Sequence, residues 1–180
     1  MKKIAIATAF VMATTMSSAA NYVSLEIDGV KDTRNQATST AQYFRAGTNA
    51  AGLNLDLAVR TAVYRKGGML NSVEGTVGKS MGPINVFGGV GYDNGFNGAK
   101  GTNYQYGLLG ASAGVPVGAV YAFGGMKTRV NWDSANPKQT VAFAGVSYPL
   151  TKSVSVELDV SRSYQDIKEK AAGVGVRVNF

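Results

Sequence analysis

The sequence predicts an all-β chain, a closed antiparallel up-and-down transmembrane β-barrel of ten strands, with eight strands as the alternative count. Three observations carry that prediction. Apolar and polar residues alternate along most of the chain, and tight turns recur between longer polar connections. The composition suits many turns and aromatic anchors, with 23 glycines, 9 tyrosines and 7 phenylalanines against 4 prolines and 1 tryptophan.

The first segment stands apart from this pattern. "MKKIAIATAFVMATTMSSAA" places Lys2 and Lys3 before an apolar run from Ile4 to about Met12, followed by the small residues Ser17, Ser18, Ala19 and Ala20. That is the pattern of a secretory signal peptide, with an apolar run too short to cross a bilayer as a helix and cleavage expected before Asn21. Residues 1–20 are therefore expected to be removed, leaving 21–180 as one barrel domain. Loss of Lys2 and Lys3 lowers the formal charge from +7 to +5. No later stretch approaches the roughly 20 apolar residues of a transmembrane helix, so an exported chain of this kind is either soluble or a membrane barrel.

The strands follow in order. "VSLEIDG" sets Val23, Leu25 and Ile27 opposite Ser24, Glu26 and Asp28. "GLNLDLAVRTAVY" is the cleanest, with Leu53, Leu55, Leu57, Val59 and Val63 on one face and Asn54, Asp56, Arg60 and Tyr64 on the other. In "SVEGTVGK", "INVFGGVGY", "YQYGLLGASA", "AVYAFGGMK" and "TVAFAGVSY" small residues blur the parity. "VSVELDVS" restores it, with Val154, Val156, Leu158 and Val160 against Ser155, Glu157, Asp159 and Ser161. The faintest runs, 40–48 and 103–114, are where a count of ten is most exposed to error. Tight breakers at "TNAAG", "SMGP", "GVPVG" and "PLTK" recur about every 33 residues, the length of two membrane strands and two connections. Between them lie the longer polar stretches "KDTRNQATST", "RKGG", "DNGFNGAKGTN", "RVNWDSANPKQ" and "QDIKEK". Short turns and both termini then share one side of the membrane, and the longer connections share the other.

The last run, "GVGVRVNF", puts Val174, Val176, Val178 and Phe180 on one parity. A closed barrel pairs this strand with the first, leaving the valines toward lipid and Phe180 in an aromatic girdle. Signal peptide, alternating strands and closing aromatic together resemble bacterial outer-membrane proteins, most of all the small opacity, OmpA or OmpX type of barrel, without matching a particular member. The resemblance implies residence in a Gram-negative outer membrane. It also implies that Val174, Val176, Val178 and Phe180 form the signal read by the barrel assembly machinery. Those relatives mostly have eight strands, whereas the runs here count ten. A secreted β-sandwich would share the alternation. Against it, acidic and arginine residues sit mid-strand where a water-facing strand would carry lysine, and tyrosines and phenylalanines gather near strand ends, as girdle residues would.

Enzymatic chemistry finds little purchase. The chain has no histidine and no cysteine, which removes cysteine nucleophiles and Cys or His metal sites. The known barrel enzymes, as families, rely on histidine. No catalytic residue, metal or cofactor is therefore expected. Lys79 and Ser80, or Lys152 and Ser153, would point to opposite faces of a strand and more simply mark turns. Glu157 and Asp159, roughly 6 to 7 Å apart along a strand, could serve two-carboxylate chemistry in principle. They fit better in an inward set of mixed sign, Glu26, Asp28, Arg45, Asp56, Arg60, Glu74, Glu157, Asp159 and Arg177, whose members pair across a lumen. Asp93, Asn94 and Asn97 lack a calcium motif, and Asn-Gly at 94–95 and 97–98 reads as turns. Gly88, Gly89 and Gly91 precede no helix and so form no phosphate loop, while Trp132 suits an interfacial anchor or a stacking residue.

Ten strands around a charged lumen predict a narrow porin-like channel for ions or very small solutes. The alternative is a structural or surface-interaction barrel with a plugged lumen, meeting lipopolysaccharide, host surfaces or phage. Lys31, Arg34, Arg65, Lys66, Lys100, Arg129, Lys138, Lys168 and Lys170 fall in or beside the longer connections, and of these Arg65, Lys66, Arg129 and Lys138 are the expected lipopolysaccharide contacts. The expected partners are thus outer-membrane lipid, lipopolysaccharide and the assembly machinery; nucleic acid is not expected, and the expected state is a monomer. Phe180→Ser should lower the yield of folded barrel in the outer membrane, measured by the heat-modifiable gel shift; normal yield contradicts the assembly role.

Overall fold

The computed structural model describes residues 21–32, 38–64, 68–97, 100–132, 138–165 and 168–180. The expected signal peptide lies outside them. Ten strands run through the described residues: β1 (Tyr22–Asp32), β2 (Thr38–Ala50), β3 (Leu53–Tyr64), β4 (Met69–Met81), β5 (Ile84–Asn97), β6 (Lys100–Val117), β7 (Val120–Asn131), β8 (Gln139–Pro149), β9 (Val154–Gln165) and β10 (Glu169–Asn179). Each pairs antiparallel with the next, and β1 pairs with β10 to close the barrel. Asn21 and Phe180 exchange backbone hydrogen bonds of 3.2 and 3.0 Å at that seam. The two faint runs are full strands, so the count is ten.

The tight breakers all turn the chain. Ala51 and Gly52 have φ of 52° and 77°, and Gly118 has 60°, the left-handed region where glycine avoids a Cβ clash. One turn expectation fails: Asn94 and Gly95 lie inside β5, paired with Asn103 and Thr102 of β6, because this hairpin extends further than its composition suggests. Gly88, Gly89 and Gly91 lie in β5 as well, where they build the wall.

Pairing fixes the parity of every strand, since directly opposed residues share a face. Leu25 of β1 opposes Val176 of β10, and both are exposed outward; Glu26 opposes Gly175, and both are buried inward. The glycines have a job on the inner face. A Cβ at Gly91 would stand 2.4 Å from the Tyr106 ring, and one at Gly110 would stand 2.5 Å from the Phe87 ring. Tyr22 lies over Gly47, Phe143 over Gly125 and Phe123 over Gly145 in the same way. An aromatic ring thus fills the space that its cross-strand glycine leaves. Aromatic residues therefore divide between lumen and girdle rather than gathering in the girdle alone. Tyr92, Trp132, Tyr148, Tyr164 and Phe180 remain exposed at the outer surface.

Two predictions follow from parity. Leu57→Arg, which turns a cation toward lipid near the middle of β3, should cost about 2 to 4 kcal/mol in urea unfolding from lipid vesicles, whereas Asn54→Arg should be mild. Equal costs would contradict the register. Gly91→Val should displace Tyr106 and destabilise the barrel by about 1 to 3 kcal/mol, measured in the same assay; no change would mean that the ring moves freely.

Candidate functional site

Inward parity collects the charge. Glu26, Asp28, Asp32, Asp56, Glu74, Asp93, Glu157, Asp159 and Glu169, all the carboxylates on the described strands, face the lumen. Lys127 and Arg129 of β7 do too, since they oppose Gly110 and Leu108 of β6 on the inner face. All of these but Asp32 fall into four groups.

The densest group centres on Glu74 of β4. Lys127 Nζ lies 2.5 Å from Glu74 Oε2, and Arg129 Nη2 lies 2.5 Å from Oε1. Arg129 Nε donates to Oε1 at 2.8 Å, and Nη1 donates to Gln139 Oε1 at 2.7 Å. The Tyr106 hydroxyl sits 3.2 Å from both Glu74 Oε1 and Asp93 Oδ1, one proton between two acceptors, while the Arg129 guanidinium stacks 5.0 Å from the Tyr106 ring centre. Tyr106 is fully enclosed, and Glu74 and Asp93 are buried. Because β5 and β6 separate β4 from β7, the Glu74 pairs cut across the lumen.

A second chord joins Arg60 of β3 to Glu169 of β10, with Nη2 3.7 Å from Oε2. Between its ends Val30, Ala41 and Ala62 are buried on the inner face, packed with Tyr43, Leu70 and Ala171. Arg60 and Arg45 both lie 5.5 Å from the Tyr43 ring centre. This apolar layer sits beside the ion pairs rather than outside the barrel.

The third group gathers Glu26, Asp28 and Asp159, which each offer an oxygen within 4.8 Å of the others. Arg45 Nη2, 3.4 Å from Glu26 Oε2, offsets their repulsion. Among the described residues these three carboxylates are the donors that could hold a metal ion. Gly173 makes room for them: a Cβ there would meet Asp28 Oδ1 at 2.0 Å and Asp159 Oδ2 at 3.3 Å.

The fourth group lies toward the termini. Arg177 Nε is 3.1 Å from Glu157 Oε1, and its guanidinium stacks 4.3 Å from the Tyr22 ring centre. The Tyr22 hydroxyl donates to Asp56. Arg45 and Arg177 keep 41 and 32 % of their side-chain surface, so this half of the lumen is the more open.

All nine residues expected in the lumen thus face it, and the structure joins them in these groups. Sequence reading missed Lys127, Asp93, Glu169, Tyr43, Tyr106 and Gln139. For Lys127 and Arg129 the signal was present in "GGMKTRVN", where they alternate with Met126, Thr128 and Val130. Arg129 is a correction: expected at the rim as a lipopolysaccharide contact, it points inward because β7 continues to Asn131. Lys138 is exposed just before β8, whereas Arg65 and Lys66 lie outside the described residues. Val174, Val176, Val178 and Phe180 are exposed on the outer surface.

No family model matches the chain, and neither does any curated protein. Solved structures do. The translocator domain of autotransporter NalP from Neisseria meningitidis is similar over 99% of this chain and 95% of its own, with 11% identity and a TM-score of 0.54. The beta domain of the Bordetella autotransporter BrkA is similar over 91% of this chain and 100% of its own, with 12% identity and a TM-score of 0.53. The fold is therefore that of the β-barrels of the bacterial outer membrane.

The Glu74 group makes a prediction about stability. Glu74→Ala leaves two cations without their carboxylate and should cost about 3 to 5 kcal/mol in urea unfolding. Adding Lys127→Met and Arg129→Met should recover most of that loss. A triple variant no more stable than Glu74→Ala would contradict the pairing.

Proposed function

We propose that the chain is a non-enzymatic outer-membrane barrel whose lumen is closed in its outer half, and which meets its partners through its outer surface. The observation that carries this reading is the pair of chords, Glu74 to Lys127 and Arg129, and Arg60 to Glu169, with the apolar layer of Val30, Ala41 and Ala62 beside them. A solute would have to part buried ion pairs that hold each other in place, and breaking such a pair is costly. The mixed-sign lumen offers no file of one charge that would draw ions through. Export by the signal peptide of residues 1–20 and recognition of Val174, Val176, Val178 and Phe180 by the assembly machinery belong to the same reading, as does a monomeric state.

A narrow channel is the second reading. It is favoured by the part-exposed Arg45 and Arg177, which leave a polar vestibule on the side of the termini. Recording purified protein in planar bilayers separates the two. The closed barrel predicts no steady single-channel steps for the native chain and clear steps once Glu74, Lys127 and Arg129 are all replaced by alanine. Steady conductance of the native chain would establish the channel instead.

A further inference from the structure

The outer surface carries an arrangement that the closed lumen does not explain. Lys31 of β1 opposes Lys170 of β10, and Lys170 opposes Arg162 of β9, all three exposed and on the outward parity. Directly opposed residues hold their Cβ atoms about 4.5 to 5.5 Å apart, and like charges so placed destabilise a sheet. A bound anion would relieve two such pairs in succession. None comes from the strands, because every described strand carboxylate faces the lumen. Arg162 is already positioned, its guanidinium 5.2 Å from the ring centre of Tyr164 on the same outer face.

The surface on the bilayer side of this row is apolar. In register below it come Gly29, Ala172 and Val160, and below those Ile27, Val174 and Leu158, at 57, 50 and 53 % exposure. A Cβ at Gly29 would meet nothing closer than the Ala172 carbonyl oxygen at 4.0 Å, so no side chain of that position covers the surface beside Ala172. The row lies near the ends of the strands that carry the longer connections, opposite the termini, which is the extracellular side of such a barrel. Cations at the headgroup level above an apolar surface match an amphiphile with phosphate above and acyl chains below.

We propose that Lys31, Lys170 and Arg162 bind the phosphate groups of a phosphorylated outer-leaflet glycolipid of the lipid A type, whose acyl chains lie along Gly29, Ala172 and the residues beneath. Arg162 supplies a planar fork that bonds phosphate through two donors, and the lysines add point charges on either side of the anion. The site deepens the surface-facing reading above and rests on its orientation in the membrane, but not on whether the lumen conducts. It also relocates the lipopolysaccharide contact from the loops to the barrel wall.

The test is binding of diphosphorylated lipid A to the purified, folded barrel in detergent, followed by native mass spectrometry. Lys31→Gln, Arg162→Gln and Lys170→Gln together should weaken binding about tenfold or more, as expected for losing several charge-assisted bonds. Lys79→Gln, an outward lysine near the other end of β4, should leave it unchanged. Lipid A stripped of its phosphates should bind the native chain as poorly as the triple variant binds the intact lipid. Unchanged affinity in the triple variant, or an equal loss in Lys79→Gln, would overturn the site. Displacement of lipid A by equimolar inorganic phosphate would overturn the lipid in favour of a soluble anion. Should the triple variant not show the gel shift of a folded barrel, Lys170→Gln alone removes the central charge, and unchanged affinity there contradicts the proposal as well. Lipid A binding by a barrel that conducts would uphold the site and overturn the closed lumen, so the two readings fail separately.

Discussion

Closure of the sheet between β1 and β10 is the constraint from which the rest follows. A strand edge left open in hydrocarbon strands its amide and carbonyl groups without partners, so a membrane sheet must join its ends. Once joined, it has only an inside and an outside, and the two-residue period assigns every side chain to one or the other. The register is then unforgiving. A slip of one residue in β1 would turn Glu26 and Asp28 into lipid, and the same slip in β9 would turn out Glu157 and Asp159.

Charge on the inside must be matched within a confined space, which explains the composition of the inner face. Carboxylates and cations meet across strands at Glu74, Glu26, Glu157 and Glu169, each with a lysine or arginine within reach. Volume must be matched as well. Tyr22, Phe87, Tyr106, Phe123 and Phe143 each enter opposite a glycine, whereas Tyr43 enters opposite Glu26 and Arg60. Many glycines and many aromatics are therefore two halves of one packing solution, rather than signs of loose turns. Outside, the apolar parity serves the lipid, and of the charged exceptions Lys31, Arg162 and Lys170 cluster at one height on three adjacent strands, whereas Lys79 lies near the opposite end of β4.

Much of this was legible in the sequence. The strong alternation of Leu53 to Val63 and of Val154 to Val160 revealed both the barrel and its polarity, and the recurring turns set the strand count. What was hidden had a physical reason. In β5, β6 and β7 the outward residues include glycine, alanine and threonine, so hydropathy could not tell the faces apart, and Asp93, Lys127 and Arg129 lost their parity label. Glu169 and Arg129 sit near strand ends that look like loops in composition, yet pairing extends through them. The lateral neighbours of Lys170 could not be read at all, because Lys31 and Arg162 reach it only through the register of the closed sheet.

The most direct measurement uses a feature of the chain itself, which contains no cysteine. Single cysteines placed along β2 and β3 can carry a spin label in lipid vesicles, with collisions measured against dissolved oxygen and a water-soluble nickel chelate. Oxygen access should peak at Gln42, Phe44, Val59 and Thr61, which face lipid, and the chelate should reach Asn54 near the termini but not Ala41 or Ala62 in the closed layer. A chelate signal running unbroken along the inner face from Asn54 to Ala62 would contradict the closed lumen, and loss of the two-residue period would contradict the barrel.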